Sequence, residues 1–156
     1  MAQAKRIHIT RRPAPGMPLD PIFDAIEKHK EAYDAFSVVV TRQDELEAEV
    51  PSEKRQSRCD YHDGLQIVET DDPRWIEFQK EYDRTNDAET QSAIDLINVE
   101  KLSFEGVVAL LEYVQFFKDA GREFPRDVMD DDGLETTWER CMLRNVVSSL
   151  IASVRN

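Results

Sequence analysis

At 156 residues the chain has the length of one domain, and its formal net charge of −12 repels nucleic-acid phosphate and anionic membrane surfaces. Its 40% hydrophobic and 33% charged residues indicate a packed core beneath heavily solvated faces, and five glycines and seven prolines leave room for long helices. Two cysteines are too few for a disulfide framework, and no apolar run nears the roughly 20 residues that span a bilayer.

In chain order, residues 1–19 come first. Lys5, Arg6, Arg11 and Arg12 put +4 on the first twelve residues and leave −16 on the rest. Pro13, Pro15 and Pro18, with Gly16 between them, forbid a helix, so the segment reads as a flexible basic tail. The sharper alternative is an arm that docks on an acidic partner. The tail lacks the apolar stretch of a secretory signal, which makes the cytoplasm the expected compartment.

Residues 20–156 read as a single helical domain. Asp20 is placed to cap the first helix, with Pro21 at its first position, where the missing N–H costs nothing. Ile22, Ile26, His29, Tyr33, Phe36 and Val40 then recur at spacings of three and four among charged residues. The pattern weakens after Val40 but runs through Leu46 and Val50 to Pro51, predicting a rod of about 45 Å.

Residues 51–71 have no sustained period and are read as an irregular connection. The short run Leu65, Gln66, Ile67 and Val68 after Gly64 suits an extended segment or a strap on the helices. With no partner strand it predicts no sheet.

Asp72 and Pro73 open a second long helix as cleanly as the first, with Trp75, Phe78, Tyr82, Thr85, Ala93, Leu96 and Ile97 on its inner face. Its middle (Asn86, Asp87, Glu89, Thr90) is polar on nearly every side, a pattern that needs a partner to hold it. Ser103 caps a third, strongly apolar helix with Val107, Val108, Leu110, Leu111, Val114, Phe116 and Phe117, ending at Gly121. The last helix carries Leu134, Trp138, Cys141, Met142, Leu143, Val146, Val147, Leu150, Ile151 and Val154, with Asp131 or Asp132 as its expected cap. The fold expected is all-α: about four helices, a long antiparallel helical hairpin packed with two shorter C-terminal helices.

Chemistry is sparse. The five glycines stand too far apart to write either phosphate-binding loop, and no G-x-S-x-G elbow or E-x-x-H pair occurs. Cys59 and His62, flanked by Asp60 and Asp63, are the nearest approach to a metal or nucleophilic site. A structural zinc wants two such pairs, and a Cys–His couple needs a third orienting group, so this reads as a solvated loop. His29 lies on the apolar stripe and reads as a core-edge histidine bonded to a neighbour.

The loop of Asp130, Asp131, Asp132 and Gly133 invites a calcium reading, with Glu139 at position twelve of an EF-hand loop. Val128 then falls at position one, where a carboxylate is required, and capping of the last helix explains the acids better. No catalytic, cofactor-binding or metal residue is therefore assigned.

Asp71 to Trp75, Asp87 to Thr90, the run from Leu102 to Val114 and the Trp138 helix together resemble a group of small uncharacterised bacterial proteins. The likeness spans roughly residues 20–155. It implies a bacterial, cytoplasmic, helical protein and transfers no site. The function expected is a non-enzymatic protein–protein interaction or oligomerising module. The alternative is an enzyme or metal-dependent protein using His29, Cys59 or His62.

Overall fold

The computed structural model describes residues 20–60, 63–125, 128–129 and 135–155. The basic tail, His62 and the Asp130, Asp131 and Asp132 loop lie outside the described residues.

The architecture is mostly helical. Helix α1 (Pro21–Thr41) is followed by the short α2 (Gln43–Glu49), a single 3₁₀ turn (Ser52–Lys54) and strands β1 (Arg58–Asp60) and β2 (Gly64–Gln66). Then come α3 (Pro73–Ile97), α4 (Phe104–Asp119), strands β3 (Val128–Met129) and β4 (Glu135–Thr136), and α5 (Trp138–Arg155).

Three helix starts are capped as their residues dictate. Asp20 accepts from the Ile22 N–H at 3.0 Å, Asp72 from the Arg74 N–H at 2.9 Å, and Ser103 Oγ from the Gly106 N–H at 2.9 Å. Each bond satisfies a donor that the first turn leaves without a partner. Asp20 does more than cap. Its second oxygen accepts from the Ser103 N–H at 2.7 Å, tying the start of α1 to the start of α4. Gly121 takes the left-handed conformation (φ 73°) beyond α4 that its position implied.

Four details depart from the sequence reading. The first helix does not run unbroken to Val50: it is interrupted at Arg42, after the β-branched run Val38, Val39, Val40 and Thr41. Thr41 Oγ1 bonds back to the Val38 carbonyl at 2.8 Å, the local competition that such residues offer to a continuing helix. The inner residue there is Val39, 2% exposed, while Val40 is 39% exposed.

The connection contains a sheet after all. β1 and β2 pair antiparallel, with Arg58 opposite Gln66 and Cys59 opposite Leu65, and Gly64 turns the chain at φ 67°. The partner strand was hidden because Arg58, Cys59 and Asp60 show no apolar alternation. A second two-residue pair, β3 with β4, joins Val128 to Thr136.

The last helix starts at Trp138, where Thr137 Oγ1 accepts from the Arg140 N–H; Asp131 and Asp132, the expected caps, lie outside the described residues. Finally, the polar middle of α3 is held within the chain. Thr85 and Glu89 are buried, and Glu89 meets His29 of α1.

Along α1 and α2 the partners on α3 descend in number: His29 with Glu89, Phe36 with Tyr82, Arg42 with Glu81, Glu49 with Arg74. The main core lies where α1, α3, α4 and α5 meet, around Ile22, Leu96, Leu110, Tyr113, Phe117 and Trp138. Trp138 stacks on Phe124 with centroids 3.8 Å apart and donates from Nε1 to the Ala93 carbonyl at 2.7 Å. A smaller core under α2 gathers Val39, Val50, Trp75 and Phe78. Burying such side chains stabilises the fold by about 1.5–3 kcal/mol each.

Candidate functional site

The α1 stripe carries His29 into the centre of the main core, where it is fully buried. Tyr113, Phe117 and Phe124 surround its ring, with centroids 5.7, 5.2 and 5.4 Å away. Nδ1 lies 2.5 Å from the Tyr113 hydroxyl and Nε2 3.2 Å from Glu89 Oε1. Nε2 is thus hydrogen-bonded to the Glu89 carboxylate and Nδ1 to the Tyr113 hydroxyl, so both ring nitrogens have a partner. Burial pushes the Tyr113 phenol well above its ordinary range, keeping its proton in place. The arrangement satisfies a buried polar group from three helices at once. It leaves neither ring nitrogen free to meet a substrate.

Cys59 sits elsewhere. Its N–H donates to Gln79 Oε1 at 2.9 Å and its thiol to Asp83 Oδ1 at 3.1 Å. Burial, reinforced by the Asp83 carboxylate, pushes the thiol up to about 11, so at neutral pH it is protonated and a poor nucleophile. Beside it opens a cleft of about 410 Å³ whose lining includes Glu47, Arg55, Ser57, Trp75 and Gln79. The Arg55 guanidinium lies over the Trp75 ring at 5.6 Å and pairs with Glu47 at 3.4 Å. Ser57 fixes the cleft wall: its carbonyl accepts from Trp75 Nε1 at 2.8 Å and its hydroxyl from the Val68 N–H at 2.9 Å.

His29 and Cys59 are therefore not brought together. They use different residues of α3 and share no hydrogen-bond partner; His62 lies outside the described residues. Val128, the position-one residue of the calcium alignment, is 4% exposed in the core, and Glu139 pairs with Lys118 at 2.9 Å. Among the described residues, no three His, Cys, Asp or Glu side chains gather as metal ligands would.

Sequence reasoning missed Glu89, although a signal was present. Trp75, Phe78, Tyr82, Thr85, Glu89, Ala93 and Leu96 form one unbroken row of threes and fours, so Glu89 belongs to the inner face. A carboxylate on that face demands a buried donor, and His29 stands on the facing stripe.

The most conspicuous surface feature lies on α4 and α5. Phe104 is 64% exposed, Val108 38% and Leu111 41%; on α5 Leu143, Val147, Ile151 and Val154 are 54%, 53%, 49% and 88% exposed. Phe104, Val108, Leu111, Gln115 and Lys118 climb one side of α4, and Glu139, Leu143, Val147, Leu150 and Val154 climb one side of α5. The Lys118–Glu139 ion pair joins these two rows, so both border the seam between the helices. The helices meet through their inner faces and leave a paired apolar ridge facing out.

Compared with family models, curated proteins and solved structures, the chain matches none of them. No helix is long and apolar enough to cross a membrane, among the described residues.

Proposed function

We propose that this chain is a non-enzymatic helical protein that works through protein–protein contact, and that the α4–α5 ridge is its contact surface. The observation that carries this reading is the exposure of Phe104, Val108, Leu111, Leu143, Val147 and Val154 along one seam. A contiguous exposed apolar patch costs solubility and is a mark of interaction sites. In this reading α1 and α3 form an antiparallel hairpin whose buried His29–Glu89–Tyr113 network stiffens the scaffold. The partner is a protein or the chain itself, in the cytoplasm of a bacterium, as the resemblance implies.

Catalysis by His29 or Cys59 has less support. The first is sealed and bonded on both nitrogens, and the second holds its proton to about pH 11.

A photo-reactive residue replacing Val147 in the full chain, in the cells that make it, tests the reading. The expected result is a protein adduct through α5, either to another copy or to a second protein, that Leu143→Lys suppresses. A probe at Val147 that yields no protein adduct overturns it.

A further inference from the structure

We propose that the occupant of the α4–α5 ridge is a second copy of the same chain, related by a two-fold axis that runs parallel to the two helices. The inference rests on the interaction reading above and adds the partner and the geometry.

The charges beside the ridge carry the argument. The outer flank of α4 bears Glu105, Glu112 and Asp119, all exposed; the outer flank of α5 bears Arg140, Arg144 and Arg155, also exposed. One edge of the ridge is therefore acidic and the other basic. A surface with this asymmetry is complementary to itself under one kind of rotation. A two-fold axis along the seam lays α4 of one copy over α5 of the other, matching apolar rows to apolar rows and acidic edge to basic edge. An axis across the helices would instead set α4 on α4 and oppose carboxylates.

The register follows from two bonds between the ends of these helices. Lys118 is level with Glu139 through their ion pair, and Leu102 is level with Ser149, whose hydroxyl accepts its N–H at 3.2 Å. Counted from the Lys118 and the Leu102 ends, Glu112 falls level with the stretch of α5 from Glu139 to Asn145, which holds Arg140 and Arg144. A rotation about an axis parallel to the helices preserves height, so Glu112 faces the Arg140 and Arg144 stretch of the second copy.

The size of the ridge sets the strength. Two helices of about 24 Å, set roughly 10 Å apart, give a footprint of some 500 Å² per copy, about 1,000 Å² in total and in the range of weak, transient interfaces. The dimer is accordingly a dissociating one, with an affinity that responds to salt.

Sedimentation velocity of the full chain over a micromolar concentration series provides the test. The wild type is expected to pass from 18.1 kDa monomer to a species of twice that mass. Leu143→Lys with Val147→Lys should leave monomer at all concentrations, with a helical circular dichroism spectrum and melting temperature like the wild type, because both positions are exposed. Glu112→Arg should weaken the dimer by roughly tenfold at low salt, and adding Arg140→Glu together with Arg144→Glu should recover most of the loss.

A wild type that stays monomeric throughout overturns the second copy as occupant and leaves residues 1–19 or a different protein as the alternative. A dimer indifferent to the lysine pair, or one that Glu112→Arg leaves unchanged, overturns the proposed geometry. The cross-linking result at Val147 is independent of both, so the failure of this inference is distinguishable from failure of the interaction reading.

Discussion

The Tyr113 hydroxyl and His29 Nδ1 approach to 2.5 Å inside the core, and through Glu89 on the other ring nitrogen they join α4, α1 and α3 in one polar network. Tyr113→Phe keeps the ring packing and removes only the hydroxyl. With Nδ1 left buried and unpaired, the fold should lose about 1–3 kcal/mol, read by denaturant unfolding. His29→Phe in the Tyr113→Phe background should cost less than the two single changes combined, since no orphaned nitrogen then remains. Strict additivity would show that the bond is not the coupling element.

The start of α4 is braced by Asp20, and this sets a steric limit at Gly106. A Cβ on residue 106 would overlap the Asp20 carboxylate and press on Ile22. Gly106→Ala is therefore expected to destabilise by about 1–3 kcal/mol, although alanine is the better helix former. Asp20→Ala removes the α1 cap and leaves the Ser103 N–H without its acceptor, a loss of similar size. Thermal unfolding decides both. If Gly106→Ala raised the melting temperature, the close approach would be refuted.

Cys59 supplies a pH prediction. With its thiol pushed from 9.0 to about 11, the thiolate fraction at pH 8 falls about 100-fold below that of an ordinary cysteine. In a Cys141→Ser background, alkylation by iodoacetamide should be correspondingly slow at pH 8 and accelerate as the pH approaches 11. Asp83→Asn removes one of the causes and should speed the reaction at pH 8. For stability the sign is that of a raised value: the folded state holds this proton more tightly than the unfolded chain. The contribution is complete below about pH 9 and is lost as the pH rises through about 11. Rapid alkylation at pH 7 would contradict the assignment.

What the amino-acid order determined by itself is what depends on neighbours in the chain. Asp20–Pro21, Asp72–Pro73 and Ser103 mark helix starts because a cap needs only a short side chain and the next two or three N–H groups. The apolar rows of α3, α4 and α5 are legible because burial repeats at the helical period.

Tertiary structure decided the rest. The break at Arg42 follows a β-branched run that weakens the helix locally, but that Val39 and Val50 on either side of it both pack on Trp75 and Phe78 is decided by α3. The pairing of Arg58, Cys59 and Asp60 with Gly64, Leu65 and Gln66 rests on backbone bonds to which side-chain pattern is blind. Sequence also left the exposed and buried halves of α4 and α5 undivided, since Leu110 and Leu111 are equally apolar. Only their placement against α1, α3 and each other buries the first and exposes the second, because a helix too apolar for one face reveals its spare side only once its neighbours are in position.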